Sequence, residues 1–285
     1  MDRAREPSTM ARVNAVSFHE NPSIEEICRK IRAAGFDSVE LSRPPFYHKL
    51  TTQGTRAAFA DWVADLGLSM YGFDAWVEVD PYTAAENTLA SFQDAIDFAA
   101  DLDLGMIITH DGWKRTVGDR QPSECLEILV PFFQAVADMA YDAGLDVVLE
   151  PHPDTLTMDN SFAIDLVDGV DRGNLGLLYD CCHYGVGQPN AYVSAIERLG
   201  RRIRHVHFSD GDRATYALHL PLGEGDLDLG SIVEALKSVG FHGTLTNDLY
   251  NSPLLEEGAR RNVDRIRQVE HELQLVHPTR RATPA

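Results

Sequence analysis

Ionisable side chains follow eight short apolar runs along the chain, and they carry most of the chemistry that this sequence offers. In chain order they are His19, Glu40, Asp74, His110, Glu150, Asp180, His207 and Asp248. The last four combine three carboxylates with one imidazole, a hard donor set that favours Mn²⁺, Mg²⁺ or Co²⁺ and binds Zn²⁺ less selectively. Because carboxylates a few ångströms apart cannot all stay ionised without a counter-charge, we expect one divalent metal ion bound by Glu150, Asp180, His207 and Asp248.

A repeated junction between helix and strand is expected to position these residues. An amphipathic stretch ends in glycine and a short apolar run follows, at Gly35, Gly67, Gly105, Gly144, Gly173, Gly200 and Gly240. Glycine closes a helix in the left-handed conformation at little steric cost, so each junction predicts a helix end followed by a strand. With the opening run Arg12–Phe18, the junctions predict eight strands.

The segments between the junctions show helical signals. Ser23 and Glu26 form a capping box that predicts a helix over Ile24–Ala34, and apolar spacing predicts helices over Leu89–Leu102, Leu126–Ala143 and Glu256–Gln274. Alternating strands and helices in about 260 residues predict an α/β fold, a single (β/α)₈ TIM barrel over residues 12–276, with flexible segments at 1–11 and 277–285. A doubly wound sheet is less favoured, because the turn after the first strand, SFHENPS, has no glycine.

Composition limits the partners. The chain has 285 residues, with 25 Lys and Arg against 44 Asp and Glu, a formal net charge of −19. Such a surface repels phosphate backbones and anionic headgroups, which argues against nucleic acid and membrane as partners. No run approaches the ~20 apolar residues of a spanning helix, and the N-terminus lacks the apolar run of a secretory signal. We therefore expect a cytoplasmic protein.

Five motifs carry a family resemblance. They are LEPHP (149–153), YDCCH (179–183), HVHFSDGDR (205–213), HLPLGEGDLDL (219–229) and GFHGTLTND (240–248). They resemble the xylose-isomerase-like barrel superfamily and, more narrowly, its sugar phosphate isomerase/epimerase group, which includes ketose 3-epimerases. The resemblance implies this barrel fold and a metal-dependent activity on small polyhydroxy ketones. A homodimer is common in that group and is possible here, but the sequence does not determine the oligomeric state.

The resemblance also implies roles for individual residues. Glu150 matches a metal ligand that also transfers the substrate proton, and Asp180 and His207 match two further ligands. His183 matches the histidine of the D-x-x-H motif, which contacts substrate. Arg213 matches an arginine that holds a substrate oxygen.

Two positions depart from the family pattern. Asp248 stands where the second catalytic glutamate is usual, and it is shorter by one methylene, ~1.5 Å of reach, a misplacement that can cost about a hundredfold in rate. We expect it to act as the fourth ligand and the second base. Leu156 replaces another family glutamate, so His152 becomes the nearby candidate for substrate binding. His205 is expected to be a hydrogen-bonded barrel residue and not a ligand.

Three more residues are candidate substrate contacts on position alone. His110 and Trp113 follow the fourth strand, and Trp113 could stack on the apolar face of a sugar. His219 precedes the PLGEG turn. Ordinary packing explains the first two equally well, and Glu40 and Asp74 could simply cap helices.

Together the donor set and the resemblance predict a divalent-metal-dependent isomerase or epimerase for a sugar or related polyhydroxy ketone. One carboxylate removes the α-proton, the metal stabilises the enediolate, and the second carboxylate returns the proton. An alternative is a lyase or dehydratase acting on a ring ketone of the inosose or dehydroshikimate type, or a partner subunit in glycoside cleavage. More remote alternatives are an apurinic-site endonuclease, disfavoured by Asp74 at a position where that family has histidine, and a non-catalytic binding barrel.

Overall fold

Eight parallel strands close into one barrel in this computed structural model, which describes residues 9–21 and 23–275. Neighbouring strands pair in chain order, and β1 pairs with β8 to close the cylinder. The strands are β1 (Arg12–Asn14), β2 (Ser38–Ser42), β3 (Ser69–Asp74), β4 (Met106–Thr109), β5 (Asp146–Leu149), β6 (Leu175–Asp180), β7 (Ile203–Phe208) and β8 (Thr244–Asn247). The predicted (β/α)₈ barrel is confirmed. The predicted flexible segments lie mainly outside the described residues.

Ten helices connect and cover the strands within the described residues. They are α1 (Ile24–Ala34), α2 (Gln53–Asp65), α3 (Ala85–Asp101), α4 (Lys114–Val117), α5 (Pro122–Asp142), α6 (Asn160–Val170), α7 (Cys181–Gly187), α8 (Tyr192–Leu199), α9 (Leu229–Ser238) and α10 (Leu255–Glu272). The start of α1 is as predicted, because the Ser23 hydroxyl accepts a hydrogen bond from the Glu26 amide. None of these helices has the length and apolar character needed to cross a lipid bilayer.

The structure corrects two local predictions. The first strand ends at Asn14, because its side chain accepts a hydrogen bond from the Val16 amide and starts a 3₁₀ turn over Ala15–Phe18. Five of the seven junction glycines have positive φ as predicted. At the other two junctions the left-handed residue is an aspartate that precedes the glycine by two positions, Asp103 (φ 61°) and Asp171 (φ 48°). Aspartate tolerates this conformation better than most non-glycine residues.

The buried apolar side chains form two separate clusters, and the rest of the barrel interior is polar. The main core lies between the sheet and the helices, and a small separate cluster of Met106, Ile108, Val148 and Leu178 fills part of the barrel interior. Elsewhere the interior is polar: Glu40 of β2 bonds to His205 and His207 of β7. Because β2 and β7 are not neighbours in the sheet, these bonds must run across the inside of the barrel. The polar interior therefore lies directly beneath the carboxyl ends of the strands.

A buried ion pair joins the first strand to the last helix. Arg12 Nη1 lies 2.8 Å from Glu270 Oε1, and both side chains are almost fully buried. The guanidinium also stacks over the Tyr71 ring, 5.0 Å from its centroid, and the second Glu270 oxygen accepts from the Met10 amide.

We expect Glu270→Ala to lower the free energy of unfolding by about 3–5 kcal/mol, because it removes the carboxylate that pairs with a buried guanidinium. Urea denaturation followed by circular dichroism measures this. The control is Arg172→Ala, which breaks the exposed Arg172–Asp138 pair and is expected to cost less than about 1 kcal/mol. Equal losses in the two variants would contradict the assigned role of the buried pair.

Candidate active site

The carboxylates of three predicted metal ligands lie around one ring nitrogen of the fourth, His207. Glu150 follows β5, Asp180 ends β6, His207 lies in β7 and Asp248 follows β8. His207 Nδ1 lies 3.1 Å from Glu150 Oε1, 3.6 Å from Asp180 Oδ2 and 3.6 Å from Asp248 Oδ2. All four side chains are buried. One ring nitrogen therefore faces three carboxylates, an arrangement in which the ligand atoms of Glu150, Asp180 and His207 are close enough to share one ion.

A second layer orients the imidazole of His207. Its Nε2 donates to Glu40 Oε1 at 2.9 Å, so Nδ1 is left to face the carboxylates. The other Glu40 oxygen accepts from His205 Nε2 at 2.8 Å and from the Thr246 hydroxyl at 3.2 Å. A carboxylate behind a ligating histidine fixes the orientation of the ring in many metal sites. Glu40 thus has a positioning role beneath the cavity, and His205 is the hydrogen-bonded barrel residue that was predicted.

The neighbours of Glu40 and His207 favour the charged form of each side chain. Burial raises the pKa of Glu40, but the two histidines that contact it lower the pKa by more, to about 2. Burial likewise lowers the pKa of His207, yet the carboxylates of Glu40 and Glu150 outweigh it and raise the pKa well above its usual range. Both shifts come from the attraction between opposite charges in a buried site: the histidines lower the pKa of the carboxyl, and the carboxylates raise the pKa of the imidazole.

The hydrogen-bond partners of the Asp180 and Asp248 oxygens show whether the site could accept a cation. Asp180 Oδ1 caps α7 by accepting from the His183 amide at 2.7 Å. Within the described residues, Asp180 Oδ2 and Asp248 Oδ1 are buried and have no hydrogen-bond partner. Leaving buried charged oxygens unsatisfied is costly. A divalent cation is the ligand that such oxygens fit, so Asp180 serves as a helix cap through one oxygen and is available as a ligand through the other.

A cavity of about 490 Å³ opens above this cluster. Six of the ten predicted site residues line it: Glu150, His152, His183, His207, His219 and Asp248. His152 Nε2 lies 3.3 Å from Glu150 Oε2, and His219 Nδ1 lies 3.0 Å from Asp248 Oδ2. The His152 and His183 rings are 4.1 Å apart between centroids. Each of the two candidate bases therefore has an imidazole beside it.

Three predicted substrate contacts do not reach the cavity. Arg213 is exposed, and its guanidinium donates to the Pro189 carbonyl at 3.5 Å, because the loop after β7 turns outward through Arg213 itself (φ 56°). His110 accepts from the Gly112 amide and lies behind His152, with 6.1 Å between the two ring centroids. Trp113 packs on His110 at 4.5 Å and on His152 at 5.4 Å. The structure thus places His110 and Trp113 as support for His152, outside the cavity lining.

Several lining residues were missed by the sequence analysis. Trp76, Tyr216 and Tyr250 stand at the mouth of the cavity, and Asn14 and Arg43 line its wall. A signal was present for two of them, since Trp76 and Tyr250 each follow a strand-end aspartate by two residues.

Asp74 also lines the cavity, and it contacts a neighbouring indole. It accepts from Trp76 Nε1 at 3.0 Å. Burial, reinforced by the charge of Glu150, raises the pKa of Asp74 well above its usual range. A helix cap was one of two roles left open for Asp74; the helix that follows is capped at Ala84, and Asp74 lies in the cavity wall.

Residues 28–269 match the family described as the xylose isomerase-like TIM barrel. The chain belongs to this family. The closed barrel and the position of the acidic cluster at the carboxyl ends of its strands agree with that assignment.

Relatives within the family have diverged. An uncharacterized protein of Methanocaldococcus jannaschii, MJ1311, is 28% identical over 56% of this chain and 55% of its own length. An L-ribulose 3-epimerase of Methylomonas is 27% identical over 45% of this chain and 43% of its own. The chain thus aligns with only about half the length of these two relatives. A fructoselysine 3-epimerase of Escherichia coli O157:H7 is 22% identical over 87% of this chain and 94% of its own.

Solved structures share the fold. A D-tagatose 3-epimerase-like protein superposes with a TM-score of 0.77 at 20% identity, covering 93% of this chain and 98% of that one. The probable 3-DHS dehydratase AsbF of Bacillus anthracis gives 0.72 at 18% identity, covering 90% and 97%. The IOLI protein, solved with a bound zinc atom, gives 0.74 at 16% identity, covering 93% and 97%. At these identities the likeness establishes the barrel alone.

We expect Glu40→Gln to weaken Mn²⁺ binding by about 10–100-fold, because an amide cannot supply the anionic partner that holds the His207 ring. Isothermal titration of the metal-free protein measures this, with circular dichroism to show that the barrel remains folded. The matched control is Glu127→Gln, which makes the same change at an exposed position of α5. Unchanged affinity in Glu40→Gln would show that Glu40 does not position a metal ligand.

Proposed function

We propose that this enzyme is a divalent-metal-dependent isomerase or epimerase that acts on a sugar or related polyhydroxy ketone. The observation that carries the proposal is the convergence of three buried carboxylates on His207 Nδ1 at the floor of the cavity. Glu150, Asp180, His207 and Asp248 would hold the cation. Their mixed oxygen and nitrogen donors suit Mn²⁺, Mg²⁺ or Co²⁺, and Zn²⁺ is the next choice.

The two oxygens of Glu150 face different neighbours. Oε1 lies 3.1 Å from His207 Nδ1, on the side of the ligand cluster, whereas Oε2 lies 3.3 Å from His152 Nε2, on the side of the cavity. Glu150 can therefore contribute one oxygen to the cation and use the other to take a proton from the carbon next to the ketone. When bound, the cation supplies positive charge that polarises the ketone and acidifies this C–H bond.

Asp248 is the second proton-transfer group in this proposal. It follows β8, three strands from Glu150 around the barrel, and both side chains line the same cavity. Two carboxylates on separate strands can flank one bound substrate, so a proton removed by Glu150 can be returned from the other side by Asp248. His219, 3.0 Å from Asp248 Oδ2, orients this shorter acid. His152 and His183, which line the same cavity, would bind hydroxyl groups of the substrate.

A lyase is the second candidate function. It is kept because an inosose dehydratase of Geobacillus thermodenitrificans is 21% identical over 67% of this chain and 71% of its own length. A dehydratase begins with the same removal of an α-proton, and differs because a β-hydroxyl then leaves as water. The residues assigned above would serve both reactions, and the fate of the β-hydroxyl distinguishes them.

We expect the Mn²⁺-loaded protein to exchange deuterium from solvent into the α-position of its substrate when ketoses, inososes and dehydroshikimate are screened. We expect Glu150→Gln to lower that exchange rate by about 10²–10⁴-fold, the usual contribution of a general base. Glu127→Gln, the same change at an exposed position, is the control. NMR measures the exchange and identifies an epimer, an isomer or a dehydrated product. Full exchange activity in Glu150→Gln would refute the assignment of the base.

A further inference from the structure

The mouth of the cavity is lined by aromatic side chains that the proposed chemistry does not use. Trp76, Tyr216 and Tyr250 lie in the loops after β3, β7 and β8. Among the described residues, four large apolar or aromatic side chains are exposed, and two of them, Trp76 and Tyr250, are at this mouth. Trp76 is 50% exposed. Grouped exposed aromatics at the edge of a polar cavity are typical of a ligand-binding surface.

Trp76 has an unfavourable backbone conformation and is held in it by hydrogen bonds. Its φ of 40° lies in the left-handed region, which is unfavourable for a bulky side chain. Its Nε1 donates to Asp74 Oδ2 at 3.0 Å, and Arg43 donates to the carbonyls of Ala75 and Trp76, each at 3.3 Å. Backbone strain of this kind is concentrated at functional sites. The strain and these bonds keep the indole at the edge of the cavity, with its ring centroid 6.1 Å from that of His152.

The charge of the cavity lining disfavours an anionic substrate. Asp74, Glu150 and Asp248 line it, and Arg43 is its one arginine or lysine among the described residues. The Arg43 guanidinium is already engaged, because it bonds to two backbone carbonyls and lies 4.6 Å from the centroid of the Tyr47 ring. Phosphate and carboxylate groups are recognised by charge-assisted donors, and against three carboxylates this lining offers a single arginine, which already uses Nη1 to hold the loop after β3.

We propose that the substrate is an uncharged polyhydroxy ketone that carries a second ring, and that this ring stacks on Trp76 and Tyr216 while the ketone lies over the acidic cluster. The inference rests on the function proposed above and specifies its substrate class. His152 connects the two regions, since its ring lies within 6.1 Å of Trp76 and 6.3 Å of Tyr216 between centroids. A phosphorylated sugar is disfavoured, because the carboxylates of the lining outnumber its one arginine.

The test uses unreactive ligands, so that it does not depend on turnover. Isothermal titration of the Mn²⁺-loaded protein compares phenyl β-glucoside, methyl β-glucoside and glucose 6-phosphate. We expect the phenyl glucoside to bind about tenfold or more tightly than the methyl glucoside, since aromatic stacking adds to the burial of the ring. We expect glucose 6-phosphate to bind no more tightly than the methyl glucoside.

Variants then assign the effect to Trp76. Trp76→Ala is expected to abolish the preference for the phenyl ligand, and Trp76→Phe, which keeps a ring, is expected to retain most of it. Tyr141→Ala, which removes an exposed aromatic from α5, is the control and should change nothing. Equal or absent binding of the two glucosides, a preference that survives Trp76→Ala, or tightest binding of the phosphate would each overturn the inference. Failure of deuterium exchange with intact phenyl selectivity would instead refute the proposed reaction alone.

Discussion

The interaction on which the site depends is the repulsion among buried carboxylates around one imidazole. Glu150, Asp180 and Asp248 approach the same nitrogen of His207, and Glu40 lies against the other one. Removed from water, this much negative charge is unstable without a positive partner. In the metal-free protein the raised pKa of His207 supplies part of that charge through a proton, and the unpartnered oxygens indicate where a divalent cation completes the balance.

The closed barrel makes this concentration of charge achievable. Each strand delivers one side chain to the carboxyl edge, so ligands separated by many residues meet without any loop having to carry two of them. The barrel also lets β2 support β7 across the interior, through the bonds of Glu40 to His205 and His207. The residues that position His207 are thus held by strands of the sheet and not by loops.

The features that could be predicted from the sequence are those that depend on residues close together in the chain. Helix caps and glycine junctions located the strands, and the candidate ligands followed because each one stands at a strand end. Glu40 was identified as a strand-end acid, but its contact with His207 required knowing which strands face each other inside the barrel. Arg213 and Trp76 show the remaining limit: both lie in loops with positive φ, and where their side chains point depends on contacts with other segments.

The closure of the barrel between β1 and β8 depends on contacts outside the sheet. The seam between β1 and β8 has one register pair, Val13 with Asn247, whereas the other neighbouring strands have three or four. That seam relies on side chains from the end of the polypeptide, above all Glu270, which reaches Arg12 across 258 positions. Asn14, two residues further on, forms part of the cavity wall. Docking of α10 therefore supports the closure of the barrel beside the cavity wall, and a chain that lacks this helix would lose the Arg12–Glu270 pair at that seam.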